Sequence, residues 1–360
     1  MKPHLIKTKE KDNYIQQLEA KLLPRGRPLA GQIDVTYRCN LACQHCFIVP
    51  EENTEELKFS QIISIIDQLY EAGCLFLYFS GGEPFLREDF LDIYTYARNK
   101  GFLVSIFTNG TLISEEILDY LVKLPPYSIE ITLNGITQDV YEQITQVKGS
   151  FSKVMKAIEL IKDKNLPLVL KCNGMKINYD QILKIEEFSQ DLLGKKYFRC
   201  NLSLDPAMDG SKRPCALRLS PEETLNIVHS DEDMFSLCRE EFLHHKDNSR
   251  LKDGYLFPCG LSYFNIDAYG KMRLCLFIRE AYSDLKKEKF LRGFARIYEN
   301  LSGLKFKTNS KCRNCNISYL CRQCPGRALA ENVDMEAPVE FFCELAHKEA
   351  QRMEEVLVKK

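Results

Sequence analysis

The sequence lacks the features that would tie the protein to a membrane, to secretion or to a nucleic acid. None of its apolar runs, within 360 residues, reaches the roughly 20 residues that a membrane-spanning helix requires. The first residues, Met1–Ile6, are followed by Lys and Glu instead of the apolar core of a secretory signal. The formal net charge is −1, which argues against a nucleic-acid partner bound by bulk electrostatics. We therefore expect a cytoplasmic protein without a membrane or nucleic-acid partner.

Cysteine, in contrast, is abundant. The chain has 15 cysteines and 45% apolar residues, which is enough for two domains or for one large domain with an appendage. In a reducing compartment these thiols are poor candidates for disulfides, so iron–sulfur clusters or metal ions explain them better. Cys74, Cys172 and Cys200 fall at predicted strand edges and are interpreted as small buried apolar side chains.

The first group of cysteines has the spacing C-x₃-C-x₂-C. Cys39, Cys43 and Cys46 lie on one short stretch directly after the apolar run Ile33–Tyr37. Three thiolates on one loop can bind three irons of a [4Fe–4S] cluster and leave the fourth iron open to a small molecule. Zinc normally takes four ligands and favours paired cysteine spacings. The loop resembles the signature of the radical S-adenosylmethionine (radical SAM) enzymes.

This resemblance implies a cofactor and a reaction. In the family, the open iron of the cluster binds S-adenosylmethionine, and one electron cleaves the S–C5′ bond. The 5′-deoxyadenosyl radical then takes a hydrogen atom from the substrate. The family also implies an electron donor such as flavodoxin or ferredoxin. His45 occupies a position that is usually aromatic in the family, and we expect it to contact the cofactor.

Three later stretches resemble cofactor-binding strand ends of the same family. Residues 80–84, SGGEP, resemble its GGEP motif, which implies that they hold the amino group of S-adenosylmethionine. Glycines allow close backbone approach, and Glu83 can accept a charge-assisted hydrogen bond from an ammonium group. Residues 107–110 (FTNG) and 131–135 (ITLNG) resemble strand ends that reach the ribose or carboxylate, although Asn-Gly is also a common turn. The predicted cofactor residues are His45, Gly81, Gly82, Glu83, Pro84, Asn109 and Thr132.

Short apolar runs alternate with helix-length amphipathic stretches from residue 31 to residue 205. The alternation predicts an α/β fold with a parallel sheet and right-handed crossovers. Six such units fit the incomplete, TIM-like (β/α)₆ barrel of the family, with the chemistry at the C-terminal ends of the strands. The predicted strands are 32–37, 75–79, 103–107, 128–133, 166–171 and 198–204, and the predicted helices are 60–72, 88–100, 114–124, 151–164 and 179–193.

We predict five parts along the chain. Residues 1–30 form a lead-in that covers one edge of the core or serves as a substrate-binding arm. The radical SAM partial barrel spans residues 31–205. Residues 206–258 bridge to the next region and include a capping box, Ser220 with Glu223. A cysteine-rich region spans 259–343, and a closing amphipathic helix spans 344–360.

The cysteine-rich region resembles the SPASM extension of radical SAM proteins, which carries two auxiliary [4Fe–4S] clusters. One departure is that the family pattern ends C-x₃-C, whereas Cys321 and Cys324 have two residues between them. The resemblance leaves the inner cluster one ligand short, so its fourth iron is open to substrate or is bound by Cys238 or Cys215. It implies Cys312, Cys315, Cys321 and Cys343 as ligands of the outer cluster, and Cys259, Cys275 and Cys324 as ligands of the inner one.

One zinc held by two cysteine pairs, Cys312 with Cys315 and Cys321 with Cys324, is the alternative for this region. It leaves Cys259, Cys275 and Cys343 without a role. The nearby segment 286–313 holds nine Lys or Arg and two Glu residues. It is either a solvated face or a contact surface for an acidic peptide.

The SPASM resemblance implies a peptide substrate. Members of this group largely modify ribosomally made precursor peptides by crosslinking, epimerisation or backbone excision. The sulfatase-maturing branch has an acid at the position of Leu276, so the resemblance to that branch fails there. The stretch ahead of the barrel is too short for the winged-helix domain that binds leader peptides in many relatives. We therefore expect a separate leader-recognition protein, or recognition by the SPASM region.

Two other classes of protein stay open. A radical SAM dehydrogenase or cofactor-building enzyme acting on a small molecule would share the barrel and the clusters, and a non-enzymatic metal-binding scaffold is the third possibility. The sequence names no catalytic acid, base or radical relay. Glu130, Lys171 and Asp205 lie near predicted strand ends and are interpreted as members of core salt bridges.

Overall fold

Six parallel strands follow one another both along the chain and across the sheet. Each strand pairs with the next in parallel register, and helices connect them. The predicted α/β fold is confirmed, with strand bounds within a few residues of the prediction. In this computed structural model, the strands are β1 (Ala30–Thr36), β2 (Phe76–Gly81), β3 (Leu103–Thr108), β4 (Ser128–Thr132), β5 (Leu168–Asn173) and β6 (Phe198–Asn201).

The structure describes residues 28–194, 198–230, 235–236, 239–240, 242–243, 256, 261–321 and 323–358. The predicted lead-in up to residue 27 lies outside these residues, as do Cys238, Cys259 and much of the predicted bridge. In the described part of the chain, no helix combines the length and the apolar character needed to cross a membrane.

The five predicted helices are present, and a sixth was not predicted. The unpredicted helix, Gln138–Thr145, has only eight residues. The first helix ends where its sequence requires, because Gly73 takes the left-handed conformation at φ 81°. The helices are α1 (Phe59–Ala72), α2 (Phe90–Asn99), α3 (Glu115–Lys123), α4 (Gln138–Thr145), α5 (Ser150–Asp163) and α6 (Ile182–Leu193).

The sheet continues beyond β1 into the C-terminal region. β7 (Tyr263–Ile266) runs parallel to β1, and the short strands β8 (Lys271–Arg273) and β9 (Ser283–Asp284) complete a nine-stranded sheet. β1 and β7 pack so closely that a Cβ on Gly31 would lie 2.1 Å from the ring of Phe264. The sheet therefore runs through both the predicted barrel and the predicted cysteine-rich region, whose division into domains stays a prediction.

The two faces of the sheet differ in polarity. On β1, Ile33 and Val35 belong to the main hydrophobic core beneath the helices. Asp34 and Thr36 point to the opposite face, because alternate residues of a strand face opposite sides. Glu130 on β4 and Lys171 on β5 share this inner face and form an ion pair. The face of the sheet opposite the core therefore carries buried polar side chains.

Among the described residues, the C-terminal half has four further helices. The predicted capping box is present, because Ser220 N donates to Glu223 Oε2 at 2.7 Å and Glu223 N donates to Ser220 Oγ at 3.2 Å. The predicted closing helix begins at Glu340, four residues earlier than expected. The helices are α7 (Pro221–Ser230), α8 (Phe290–Ser302), α9 (Pro325–Asn332) and α10 (Glu340–Val358).

Candidate active site

The three-cysteine loop follows β1 at the C-terminal edge of the sheet. Backbone hydrogen bonds fix it to the end of α4, where Ala42 N donates to Thr145 O and Gln44 N donates to Ile144 O, both at 3.0 Å. These two bonds flank Cys43. The last carbonyls of a helix have no partner within the helix, so they are available to hold such a loop. The unpredicted helix α4 is therefore part of the support of the site.

All three thiols of the loop line one cavity of about 700 Å³. Burial raises the pKa of Cys39 and Cys46, and burial followed by repulsion from the other two thiolates raises the pKa of Cys43 to about 12. Each thiol is therefore protonated until a metal displaces the proton. Soft thiolates on one loop are the donors that an iron–sulfur cluster requires.

The spacing of the thiols bears on which metal group they fit. Within the described residues, no three His, Cys, Asp or Glu side chains converge closely enough to hold one metal ion. Around a tetrahedral zinc, sulfurs lie only about 3.8 Å apart, as Zn–S bonds of about 2.3 Å require. In a [4Fe–4S] cluster each thiolate binds a different iron, so the sulfurs stand further apart. Three thiols on one short loop are the donor set that a cluster takes, and which metal group the loop holds stays a prediction.

Asn109, at the end of β3, is tied to the cysteine loop. Its Nδ2 donates to Asn40 Oδ1 at 2.9 Å and lies 3.8 Å from Cys39 Sγ. Its Oδ1 accepts a hydrogen bond from Thr111 N at 2.9 Å, which fixes the orientation of the amide. Asn109 and Thr132 both line the cavity, as the sequence predicts for cofactor residues.

The two glycines of the GGEP motif bring the end of β2 against the cysteine loop. A Cβ on Gly81 would lie 2.0 Å from Thr36 O, and a Cβ on Gly82 would lie 2.2 Å from Arg38 O. Gly82 N donates to Thr36 O at 2.8 Å. Both glycines line the cavity. The close contact between the two backbones leaves no room for a Cβ at either position, so glycine is required there. Both glycines also face the space that a ligand would fill.

Glu83 is buried where the ends of β2 and β3 meet. Its carboxylate is fully buried and is not among the groups that line the cavity, and its contact with an ammonium group stays a prediction. It accepts hydrogen bonds from Thr108 Oγ1 at 2.8 Å, from Asn109 N at 2.8 Å and from Phe85 N at 3.2 Å. Burial raises the pKa of Glu83 to about 7. Glu83 therefore joins the ends of β2 and β3, and its neighbour Pro84 is buried with it.

His45 lines the cavity as a neutral ring with a defined tautomer. Asn173 N donates to Asn134 Oδ1 at 2.8 Å, which turns Asn134 Nδ2 toward His45 Nε2 at 3.3 Å. Nε2 therefore accepts, and the proton lies on Nδ1. Nδ1 is buried without a hydrogen-bond partner among the described residues, and burial lowers the pKa of His45 to about 4. This orphaned donor fits an acceptor of a bound cofactor.

The three polar residues interpreted as core salt-bridge members are paired. Lys171 Nζ lies 2.7 Å from Glu130 Oε2, and Arg327 Nε lies 2.8 Å from Asp205 Oδ1. Lys171 and Asp205 also line the cavity, however, so these pairs border the site. Leu276 and Phe277 close the cavity from the C-terminal region.

Four thiols of the second cysteine group lie near one another. Burial, followed by repulsion from the thiolates of Cys312, Cys315 and Cys343, raises the pKa of Cys321 to about 11. These four thiols are therefore neighbours. Gln323 Nε2 donates to Cys312 Sγ at 3.3 Å, which gives one thiol of the group a polar contact. The assignment of the four to one cluster stays a prediction.

Cys324 and Cys275 lie apart from that group. Cys324 Sγ accepts a hydrogen bond from Arg327 N at 3.5 Å at the start of α9. A Cβ on Gly326 would lie 2.7 Å from Cys275 Sγ, so the loop of Cys275 packs against the same turn. Cys275 directly precedes Leu276 at the cavity wall. Cys259 lies outside the described residues. Burial raises the pKa of Cys215, and the nearby charges of Arg218, Glu331 and Asp205 have smaller effects on that pKa.

Sequence reasoning missed several residues of the site. Asn134 lay in a stretch that also reads as a turn, and Asn173 carried no signal at all. Their role depends on the contact with His45, which joins three loops distant in sequence. Leu276 and Phe277 were missed as cavity residues because β7 and β8 bring them to the site.

Comparisons with known proteins agree with this geometry. The profile of the radical SAM superfamily matches residues 33–189. The chain is 22% identical over 327 residues to an AdoMet-dependent heme synthase of Methanosarcina barkeri, covering 84% of this chain and 92% of that protein. It is 30% identical over 165 residues to a PqqA peptide cyclase of Granulibacter bethesdensis, covering 45% of this chain and 44% of the relative. The chain thus spans less than half of that cyclase.

Solved structures show the same fold. The crystal structure of Streptococcus suis SuiB bound to the precursor peptide SuiA superposes with a TM-score of 0.68 and 16% identity. The match covers 91% of this chain and 79% of SuiB. The likeness extends beyond residues 33–189, so the C-terminal region also takes part in the shared fold.

Proposed function

Since the chain contains a radical SAM domain over residues 33–189, we propose that it modifies a ribosomally made precursor peptide by radical chemistry. When bound, the [4Fe–4S] cluster and S-adenosylmethionine supply a 5′-deoxyadenosyl radical that abstracts a hydrogen atom from the substrate. The proposal rests on one observation. A single cavity is lined by the three thiols, by the strand ends and by Leu276 and Phe277.

The residues of the cavity have distinct tasks in this proposal. Cys39, Cys43 and Cys46 hold the cluster. His45 offers its Nδ1 proton to an acceptor on the cofactor, while Asn134 keeps the ring in that tautomer. Glu83 keeps the ends of β2 and β3 together from behind, so that the cavity wall is rigid before the ligand arrives.

The size of the cavity is consistent with a cofactor and part of a substrate. Small-molecule sites commonly measure about 300–1,000 Å³, and this one lies in the upper half of that range. A peptide can place one side chain in such a space while the rest of its backbone stays outside. The names of the cyclase and of the SuiA complex support a peptide, since both proteins act on or bind one.

We propose further that the C-terminal cysteines hold two auxiliary clusters. The grouping of four thiols and the separate position of two others support this division. Three clusters contain about twelve irons per chain by stoichiometry. Iron and sulfide analysis after anaerobic reconstitution tests the number of clusters. About twelve irons per chain supports three clusters, and about four irons supports only the cluster of the three-cysteine loop.

Recognition of a leader peptide by a separate protein or by the basic segment 286–313 is part of the same proposal. On α8, Arg292 is exposed and makes only a long contact of 3.7 Å with Glu288. Lys287 is also exposed and lies 3.4 Å from Asp284. These cations face solvent with weak partners, which suits an acidic peptide held by screened charge.

A second candidate substrate is a tetrapyrrole. The heme synthase of Methanosarcina barkeri is the relative matched over most of both chains. The same cavity would then receive an extended planar molecule with carboxylate side chains. The type of bond changed, and therefore the oxidoreductase or lyase subtype, follows only from the product.

Release of 5′-deoxyadenosine tests the proposal. The reconstituted protein is reduced with dithionite and given S-adenosylmethionine with synthetic peptides from the short reading frames beside its gene, or with an iron tetrapyrrole. We expect release to increase with one peptide, and that peptide to change mass. Cys43→Ala should release none. An increase with the tetrapyrrole alone would favour the second candidate, and a wild type equal to Cys43→Ala would refute radical chemistry here.

A further inference from the structure

Three charged side chains form a cluster on the inner face of the sheet. Glu130 on β4 lies between Lys171 on β5, at 2.7 Å, and Arg199 on β6, whose Nη1 is 3.5 Å from the same oxygen, Oε2. The strand register places Lys171 directly opposite Arg199. We call these residues the inner-face cluster. None of them is among the predicted cofactor residues, although Lys171 lines the same cavity as the three thiols.

The inner-face cluster carries one excess positive charge. Two cations share a single carboxylate, and the described residues bring no second carboxylate within ion-pair distance of either one. Glu130 is only 2% exposed, and Ser128 Oγ donates to its Oε1 at 3.1 Å, so the carboxylate is held in place. The Arg199 side chain is 63% exposed. The excess charge therefore lies where a ligand can reach it.

Lys171 connects the inner-face cluster to the cofactor cavity. It lines the cavity together with Phe107, and its Nζ lies 3.1 Å from the centre of the Phe107 ring. The ring face and Glu130 hold the ammonium group from two sides. Burial lowers the pKa of Lys171, so a further anion would offset part of the desolvation that this cation experiences.

A carboxylate is the ligand that this arrangement fits. A single excess charge matches a monoanion better than a phosphate dianion. The planar guanidinium of Arg199 can bind both oxygens of a carboxylate, and Lys171 adds a point charge on the cavity side. In the interior of a protein such a pairing is stronger than in bulk water.

We propose that the inner-face cluster binds an acidic side chain of the substrate next to the residue that is modified. This proposal depends on the proposed function in one respect, which is that the bound carboxylate belongs to a peptide. The cluster would then select which residue of a precursor enters the cavity, because the bound carboxylate fixes its neighbours relative to the cofactor. Arg199 and Lys171 are specificity residues in this account, and Glu130 is a positioning residue.

Binding of short probes tests the proposal without turnover. The probes are acetyl-Ala-Glu-Ala-amide, its Gln analogue and propionate. Their affinities for the reconstituted, S-adenosylmethionine-bound protein are measured anaerobically by ligand-observed NMR. We expect the Glu probe to bind about fivefold to tenfold more tightly than the Gln probe at low salt. Arg199→Gln should abolish this preference, and Arg199→Lys should restore part of it.

The matched control is Lys162→Gln, which removes an equally charged and exposed side chain at the end of α5, away from both proposed peptide contacts. It should leave the preference intact. Propionate that competes with the Glu probe supports a site that recognises the carboxylate whatever molecule carries it. Equal binding of the Glu and Gln probes, or loss of the preference in Lys162→Gln as well, would overturn the proposal. The proposed function fails separately, through absence of 5′-deoxyadenosine release.

Discussion

Two buried carboxyl groups of this protein, those of Asp34 and Glu83, have no cation as a partner among the described residues. Asp34 and Glu83 are both nearly inaccessible and are held by neutral donors. Burial without a cation disfavours the charged form of a carboxyl group. Both therefore keep protons at a pH where exposed carboxyl groups have lost them, and both lie on or behind the polar face of the sheet.

Asp34 gives a prediction of pH dependence. Burial raises its pKa to about 6, while Gln32 Nε2 donates to it at 2.6 Å. Because the folded state holds this proton more tightly than the unfolded state, the stabilisation is present at low pH and is lost as the pH rises through 6. We expect wild type to lose about 1–2 kcal/mol between pH 5 and 7.5 relative to Asp34→Asn. Chemical denaturation at the two pH values measures this.

Asp67→Asn serves as the control for that experiment. Asp67 is exposed, and hydrogen bonds from Lys100 and Tyr96 lower its pKa, so its contribution has the opposite sign. An infrared difference spectrum between wild type and Asp34→Asn should show a protonated carboxyl band at pH 5 that vanishes by pH 7.5. A band that is absent at pH 5 would contradict the prediction.

Gly82 gives a prediction about cluster loading. A Cβ at this position would meet Arg38 O at 2.2 Å, and neither backbone can move without displacing the cysteine loop. We expect Gly82→Ala to destabilise the protein by about 3 kcal/mol, as strong overpacking does, and to reduce the iron bound after reconstitution. Thermal unfolding and iron analysis measure the two effects.

Gly303→Ala is the matched change. Gly303 has a helical φ of −84°, and an added Cβ would meet its nearest atom at an ordinary 3.7 Å. It should alter stability by less than about 1 kcal/mol and leave the iron content unchanged. Equal iron loss in both variants would argue against the backbone contact as the cause.

At the level of elements, local patterns predicted the strands and helices but not their long-range partners. The apolar residues of Ile62–Leu69 recur at helical spacing, which predicts α1. Gly73 follows as the residue at which a helix can end. Helix α4 is short and polar, so its periodicity gave no signal. The pairing of β7 with β1 joins residues more than two hundred positions apart, which no local pattern encodes.

Side-chain direction was the other limit at this scale. The sequence placed Gly82 and Glu83 correctly beside the cysteine loop. It could not show which groups donate to the Glu83 carboxylate, because Thr108 Oγ1 and Asn109 N become its donors only when β3 lies beside β2. Likewise, His45 was predicted as a cofactor residue, but its tautomer depends on Asn134 from another strand end.

The loop of the second cysteine group gives a prediction about redox potential. Gln323 Nε2 donates to Cys312 Sγ at 3.3 Å and to Ala337 O at 3.0 Å. If Cys312 binds the proposed outer cluster, this hydrogen bond stabilises its more negative, reduced form. We expect Gln323→Leu to lower the potential by roughly 40 mV, for a hydrogen-bond difference of about 1 kcal/mol. A redox titration followed by electron paramagnetic resonance measures it.

Asn314→Ala is the control in the same loop. Asn314 Nδ2 donates to Asn309 Oδ1 at 2.8 Å at the surface, and no contact with a thiol is recorded among the described residues. Its potential should equal that of wild type. An unchanged potential in Gln323→Leu, with full iron content, would remove the hydrogen bond as a determinant.

At the scale of the whole molecule, the two halves share the sheet and are also joined by buried ion pairs. Arg218 Nε donates to Leu204 O at 2.6 Å, just after β6, and its Nη1 donates to Glu331 Oε2 on α9 at 3.1 Å. Both side chains are less than 10% exposed. Cys324 directly precedes helix α9, so this pair ties the end of the parallel sheet to the second cysteine group.

This pair yields the last prediction. Arg218→Met leaves Glu331 buried without its cation, which should cost about 3–5 kcal/mol, whereas Arg218→Met with Glu331→Leu should recover a large part of that loss. Denaturant unfolding of the reconstituted protein measures both. Arg296→Met, which removes the exposed partner of Glu288, should cost less than about 1 kcal/mol. If the single and double variants unfold alike, this pair is not what joins the halves, and the β1–β7 pairing and the contact of Phe290 N with Gln68 Oε1 remain to hold them together.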